Sequence, residues 1–198
     1  MKYDFLDIGC KDGRSFPIAY ELGYKSGLGI DINENHVKSA ISKGFDAIVA
    51  DATNLPFPDK SFKMTISNHV LEHLPSEEMA RKAINEMIRV TSEKISIGFP
   101  IFDYDEYLNS LGLRTFYSHW KGHTNMMKLS NLLDIFSKYK YDLKMIKRIY
   151  DSSAIEIHSL ESPIDCLSYD KSIHPKKEFI KFDPKIEIYR EFKLTIHL

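Results

Sequence analysis

The chain has 198 residues, a formal net charge of −1 and two cysteines, Cys10 and Cys166. This length suits one domain, residues 1–198, with a well-buried core, and the balanced charge gives no sign of a general nucleic-acid or acidic-surface binder. Two cysteines exclude a disulfide framework and fit a reducing compartment. No apolar run reaches the roughly 18 residues of a membrane span. The chain enters a strand at once, without a signal peptide, so a cytoplasmic protein is expected.

Residues 3–8 read as a buried strand. Gly9 and Gly13 then bracket a turn into a helix over 14–22, which stops at Gly23. Residues 28–30 form a second strand ending at Asp31. Asn33 caps a helix carrying Val37, Ala40 and Ile41 on one face, with Gly44 beyond its end. Strands follow at 45–50 and 62–67. Ser76 caps a helix whose first turn holds Glu77 and Glu78, favourable for the helix dipole. A strand at 95–99 ends at Pro100. A helix at 129–138, capped at or just before Ser130, and strands at 143–150 and 190–197 complete the series. Such alternation argues for an α/β domain with a mostly parallel sheet and right-handed crossovers.

Residues 100–127 and 151–188 are too long for simple connections, whereas residues 1–99 form the core of the pattern. Each long stretch follows a strand of the parallel set and so leaves from the sheet edge where open α/β folds bind ligands. Both are expected to form substrate walls.

The most informative run is Phe5-Leu-Asp-Ile-Gly-Cys-Lys-Asp-Gly13. A strand, a glycine turn and a helix N-terminus make a small-molecule cofactor site. Asp7 favours a ligand with positive charge, because a pyrophosphate would be repelled there. Asp31 sits where a carboxylate accepts from ribose hydroxyls. The turn is Gly9-x-x-x-Gly13 rather than the G-x-G-x-x-G of dinucleotide sites, and Asp51 closes the third strand.

These residues, with Gly29-Ile-Asp-Ile32, Asp51-Ala52, Leu55-Pro-Phe-Pro-Asp-Lys-Ser-Phe62 and Asn68-His-Val-Leu-Glu-His-Leu74, resemble class I S-adenosylmethionine (SAM)-dependent methyltransferases of the small-molecule type. The resemblance covers roughly residues 3–99. It implies a Rossmann-like sheet of seven strands, mostly parallel and flanked by helices, with the last strand antiparallel. It also implies SAM as cofactor. Asp7 and the turn Gly9–Gly13, including Cys10, would hold its methionine end. Asp31 and Ile32 would meet the ribose, Asp51 and Ala52 the adenine, and Asn68 and His69 would lie beside the sulfonium. Lys11 replaces the family's middle glycine, where its side chain can either crowd the methionine carboxylate or pair with it as an ammonium. Relatives often carry preceding helices over SAM; here the cover is expected from residues 100–127 or 151–188 or from a partner subunit, or to be missing.

Six of the eight histidines, His69, His73, His119, His123, His158 and His174, fall after strand ends or in the long insertions; His36 and His197 fall elsewhere. The shared edge makes one of them a base candidate, and His73, His119 and His123 are the choices. His69-x-x-Glu72-His73 has a spacing that could face a cation if helical, but its place after a strand favours a turn-stabilising role, and no metal is expected. Ser118-His-Trp-Lys-Gly-His-Thr-Asn125 offers an indole, a lysine and two imidazoles for a polar substrate. The expected reaction is O-methylation of a small polar acceptor, such as a sugar or surface-glycan precursor. The alternative is a catalytically silent SAM-fold binding or partner subunit. A small-molecule acceptor is expected, with no nucleic acid and no membrane, and a homodimer is compatible with the sequence. The Asp/Asn-Pro-Pro-aromatic run of base-methylating relatives is replaced here by Asn68-His-Val-Leu.

Overall fold

A computed structural model describes residues 2–118, 120–162, 172, 174–175 and 177–198. Nine strands are present among them: β1 (Phe5–Ile8), β2 (Gly27–Asp31), β3 (Ala47–Val49), β4 (Phe62–Asn68), β5 (Thr91–Pro100), β6 (Leu113–Thr115), β7 (Lys140–Ile149), β8 (Ile157–Ser159) and β9 (Ile188–His197). Five α-helices accompany them: α1 (Phe16–Glu21), α2 (Glu34–Ser42), α3 (Glu77–Val90), α4 (Asp105–Ser110) and α5 (Leu129–Ile135).

Seven strands form one sheet in the order β3-β2-β1-β4-β5-β9-β7. The first five in that order pair in parallel, and β9 runs antiparallel between β5 and β7. The expected architecture, including the antiparallel last strand, is therefore present. Every residue of β1 and β2 is buried, as befits central strands covered on both faces. The main core gathers Leu6, Ile8, Ile84, Met87, Ile95 and Leu194 between the sheet and α3.

Boundaries differ from expectation for local reasons. α3 passes straight into β5 at Thr91, whose hydroxyl donates to Thr65 Oγ1 at 3.0 Å in the interior. β5 thus starts four residues before the expected strand. The cap of α5 falls just before Ser130. Lys128 occupies that position without a side-chain cap, and Asp103 Oδ2 accepts from the Leu129 amide at 3.0 Å, a tertiary substitute for a local cap. Asn33 and Ser76 cap α2 and α3 as expected.

The two insertions are not independent walls. β6 from the first pairs antiparallel with β8 from the second. Leu108 and Leu113 pack with Ile157, Phe182 and Ile188 in a separate apolar cluster. α4, β6 and β8 have no clear sequence period, because each is short and is stabilised by the other insertion.

Candidate active site

The C-terminal ends of β1 to β4 open on a cavity of about 320 Å³. One side is the turn after β1, where Gly9, Lys11 and Gly13 have φ of 66°, 47° and 85°. A Cβ on Gly9 would come within 2.5 Å of Val70, and one on Gly13 within 2.2 Å of Phe45. Only glycine allows both the left-handed backbone and this packing. Lys11 takes the same conformation with a side chain, at a strain of about 1 kcal/mol. Its amide donates to Asp31 Oδ2 at 3.1 Å, which offsets part of that strain.

Asp7 lies beneath the turn, 1% exposed, and neither carboxylate oxygen has a hydrogen-bond partner. Burial pushes its pKa up to about 7; the nearby Ser15 hydroxyl opposes this and the Asp31 charge adds to it. A buried carboxylate without donors is costly, so Asp7 suits a ligand group that brings positive charge. At the end of β2, Asp31 Oδ1 accepts from the Asn33 amide at 2.9 Å, and Oδ2 accepts from His36 Nδ1 at 3.1 Å. His36, placed elsewhere by the sequence, therefore lines this cavity. A carboxylate has about four acceptor sites, so Asp31 retains room for a ligand hydroxyl. Ile32 is 76% exposed at the rim, with Ala50 and Ala52 also lining the cavity. Asp51 Oδ1 accepts from both the amide and the hydroxyl of Thr53 at 2.8 Å.

Of the expected cofactor residues, Gly9, Asp31, Ile32, Asp51, Ala52 and His69 line this cavity, whereas Asp7, Cys10, Gly13 and Asn68 do not. Cys10 packs against Gly29, where an added Cβ would lie 2.7 Å from its sulfur. Burial pushes its thiol up to about 12, so it is an inert packing residue. Asn68 occupies the space left by the missing side chain of Gly98.

A second cavity of about 190 Å³ adjoins, lined by Pro100, Phe116, Tyr117, Trp120, His123, Arg190 and Glu191. His69 lines both cavities. Its φ is 54°, and its amide donates to the Gly98 carbonyl at 2.9 Å. Its ring lies between Glu72 Oε1 and Glu191 Oε2, each at 3.1 Å. The bonds to Glu191 and Glu72, in that order, push its pKa up to about 9 against partial burial. His69 is thus an imidazolium at neutral pH and has no lone pair to act as a base.

The first insertion closes over the turn that follows β4. Residues 71–73 form a 3₁₀ turn, and the amides of Thr124 and Asn125 donate to the Glu72 carbonyl at 3.0 and 3.1 Å. The Asn125 side-chain amide donates to the Leu71 carbonyl at 3.1 Å. His73 Nδ1 donates to the Gly122 carbonyl at 2.7 Å, and His123 Nδ1 to the Tyr117 carbonyl at 2.8 Å. Burial lowers the pKa of His123 and keeps it neutral. The Trp120 ring stands edge-on to both imidazoles and covers Gly122, where a Cβ would lie 2.5 Å from it.

Three further histidines do not join these cavities among the described residues. His119 lies outside the described residues, as does Cys166. His158 and His174 meet edge to face with ring centroids 4.6 Å apart and line neither cavity. Burial lowers His158 to about 4. Among its described residues, the second insertion supplies no lining to either cavity; it supports the first through β8. The sequence reading missed Phe116, Tyr117, Arg190 and Glu191. The last two come from β9, whose Glu191 pairs with Pro100 in the sheet register. Their only local signal is a charged pair inside an alternating strand.

Residues 6–94 match the methyltransferase domain family. Over 85 residues the chain is 36% identical to the tRNA (carboxymethyluridine(34)-5-O)-methyltransferase of Arabidopsis thaliana, covering 43% of this chain and 20% of that protein. It is 33% identical over 105 residues to the ajmaline N-methyltransferase of Rauvolfia serpentina, covering 48% of this chain and 34% of that protein. The chain therefore spans well under half the length of either relative. A SAM-dependent methyltransferase from Archaeoglobus fulgidus shares the fold with a TM-score of 0.66 at 17% identity, covering 98% of this chain and 85% of that one. The larger cavity fits SAM: Asp31 at its wall suits a ribose hydroxyl, and the orphaned Asp7 carboxylate buried beneath its turn suits a nearby ammonium. Residues 6–94 thus carry the sequence pattern of the methyltransferase domain, and the chain as a whole has the fold of a solved SAM-dependent methyltransferase.

Proposed function

We propose that this chain transfers the methyl group of SAM to an oxygen of a small polar acceptor seated in the smaller cavity. A sugar or surface-glycan precursor is the acceptor class that suits it best. The observation that carries this reading is the pair of adjoining cavities, about 320 and 190 Å³, that share His69 as a wall. SAM supplies an activated methyl group when bound, so the protein's main work is to hold the acceptor in line with it. At the larger cavity the turn Gly9–Gly13 holds the amino-acid end, with the Asp7 charge buried beneath that turn. Asp31 accepts from the ribose hydroxyls, Ile32 lies along the adenosine, and Asp51 with the Ala52 backbone meets the adenine edge.

In the smaller cavity, Trp120 and Phe116 offer flat apolar faces to the C–H face of a sugar-like ring. Arg190 and Glu191 offer polar partners to its hydroxyls. His123 is the base: its Nδ1 proton is held by a backbone carbonyl, which leaves Nε2 to take the acceptor's proton. His73 is the less suited candidate because it lines the cofactor side. His69 stays charged and separates the two cavities. A tRNA acceptor is the second reading, favoured by the likeness to the Arabidopsis protein; the net charge of −1 and the small cavity weigh against it.

The test is formation of S-adenosylhomocysteine from SAM by the purified chain, with small polyhydroxylated acceptors and, separately, with bulk tRNA. Turnover with the former is expected. His123→Ala should lower kcat by about 10²–10⁴ while leaving S-adenosylhomocysteine binding unchanged. Turnover with tRNA alone supports the second reading, and binding without turnover on either supports a silent subunit.

A further inference from the structure

The 3₁₀ turn after β4 and the first insertion bring Glu72, His73 and His123 together, with one ligand-type atom of each within 4.8 Å of the other two. Glu72 is fully buried. Its Oε1 is bonded to the charged His69 ring, while its Oε2 is buried with no hydrogen-bond partner. The two imidazoles meet at a centroid distance of 5.0 Å and an interplanar angle of 60°. A backbone carbonyl can only accept, so the bonds from His73 Nδ1 to Gly122 and from His123 Nδ1 to Tyr117 place a proton on each Nδ1. In the neutral rings the free lone pair is then on Nε2.

Three acceptors thus converge with no donor among them. Their mutual repulsion is relieved by a cation or by a shared proton. Carbonyl bonds at Nδ1 are also the arrangement that orients imidazoles for metal ligation through Nε2. We propose that Glu72 Oε2, His73 Nε2 and His123 Nε2 form a site for one divalent transition-metal cation. Two imidazoles and one carboxylate suit Zn²⁺, Co²⁺ or Ni²⁺ and leave a position open. A tetrahedral ion wants its ligand atoms about 3.4 Å apart, so the set closes by roughly an ångström on binding.

The sequence spacing groups His69 with Glu72 and His73. The structure removes His69, both of whose ring nitrogens are taken by carboxylates, and supplies His123 from the insertion. The site depends neither on the acceptor's identity nor on turnover. It lies where the two cavities adjoin, since His73 lines the larger and His123 the smaller. A bound cation would occupy the His123 lone pair, so in the metal-loaded protein an acceptor hydroxyl would be activated by the cation instead of by the imidazole.

The experiment is calorimetric titration of the chelator-stripped full chain with Zn²⁺, paired with the visible spectrum of the Co²⁺ form. One-to-one binding and tetrahedral Co²⁺ bands are expected. His123→Ala should weaken binding by at least about tenfold, and His73→Gln should do the same, serving as the second variant if the first does not fold. His197→Ala, in a surface pair with Asp142 on the far side of the sheet, should leave binding unchanged. Absence of one-to-one binding, or unchanged affinity in both site variants, overturns the proposal and assigns the cluster a shared proton. Because the readout needs neither SAM nor acceptor, its failure is distinct from failure of the methyl-transfer reading.

Discussion

Replacing Asp7 by asparagine separates the charge of this side chain from its shape. In the free protein the carboxyl is 1% exposed, lacks a hydrogen-bond partner and is pushed up to about 7 by burial. Between pH 3.8 and about 7 the unfolded chain holds Asp7 ionised while the folded chain holds it protonated. The folded state binds more protons there, so stability falls as pH rises across that window. At 1.36 kcal/mol per pH unit, the whole interval amounts to about 4 kcal/mol. A ligand ammonium above Asp7 reverses the preference and requires the ionised form. At pH 7 about half the sites are ionised, and at pH 5.5 about 3% are. The affinity for S-adenosylhomocysteine should therefore fall roughly 15-fold from pH 7 to 5.5, or about 1.6 kcal/mol. The ligand's own α-amino group, beside a free carboxylate, titrates above the range of a peptide N-terminus and stays protonated throughout. Calorimetric titration in two buffers of different ionisation enthalpy should show proton release on binding near pH 6. Asp7→Asn should bind more weakly at pH 7, with a flattened pH dependence and no proton release. An Asp7→Asn protein with the same pH slope as the unaltered chain would refute the reasoning.

The His69 clamp should appear as a second pH effect on stability, of the same sign but at the alkaline edge. Its folded pKa of about 9 lies above the ordinary 6.5, so its stabilisation is complete below 6.5 and is lost as pH rises through about 9. With the side chain 37% exposed, roughly 1–2 kcal/mol survives screening. Thermal melts at pH 6.5 and 9.5 should differ less for Glu191→Gln than for the unaltered chain. Gly13→Ala combines φ of 85° with a Cβ 2.2 Å from Phe45, and a loss of about 2–4 kcal/mol in urea unfolding is expected. Asp31→Ala leaves the Asn33 and Lys11 amides and His36 without their shared acceptor. It should reduce stability by about 2–3 kcal/mol and weaken S-adenosylhomocysteine at least about tenfold; unchanged affinity would remove Asp31 from the ribose role.

The alternation of strands and helices, the caps Asn33 and Ser76, and the carboxylates that end strands were all legible in the sequence. Each is a local consequence of period, capping chemistry or a left-handed turn, and the cofactor cavity is built almost wholly from such local features within residues 9–74. The smaller cavity was not legible as a unit. Its lining joins the turn after β4, the first insertion and β9, and β9 reaches it only because it inserts antiparallel beside β5 and sets Glu191 opposite Pro100. Tertiary structure also decided the histidines. The sequence grouped six by chain position, yet packing made His69 a paired cation, buried His158 with His174, and drew His36 to Asp31. Which charges meet depends on strand order and register, and those follow from burying β1, β2, β4 and β5 at the centre of the sheet and the apolar face of β9 beside them.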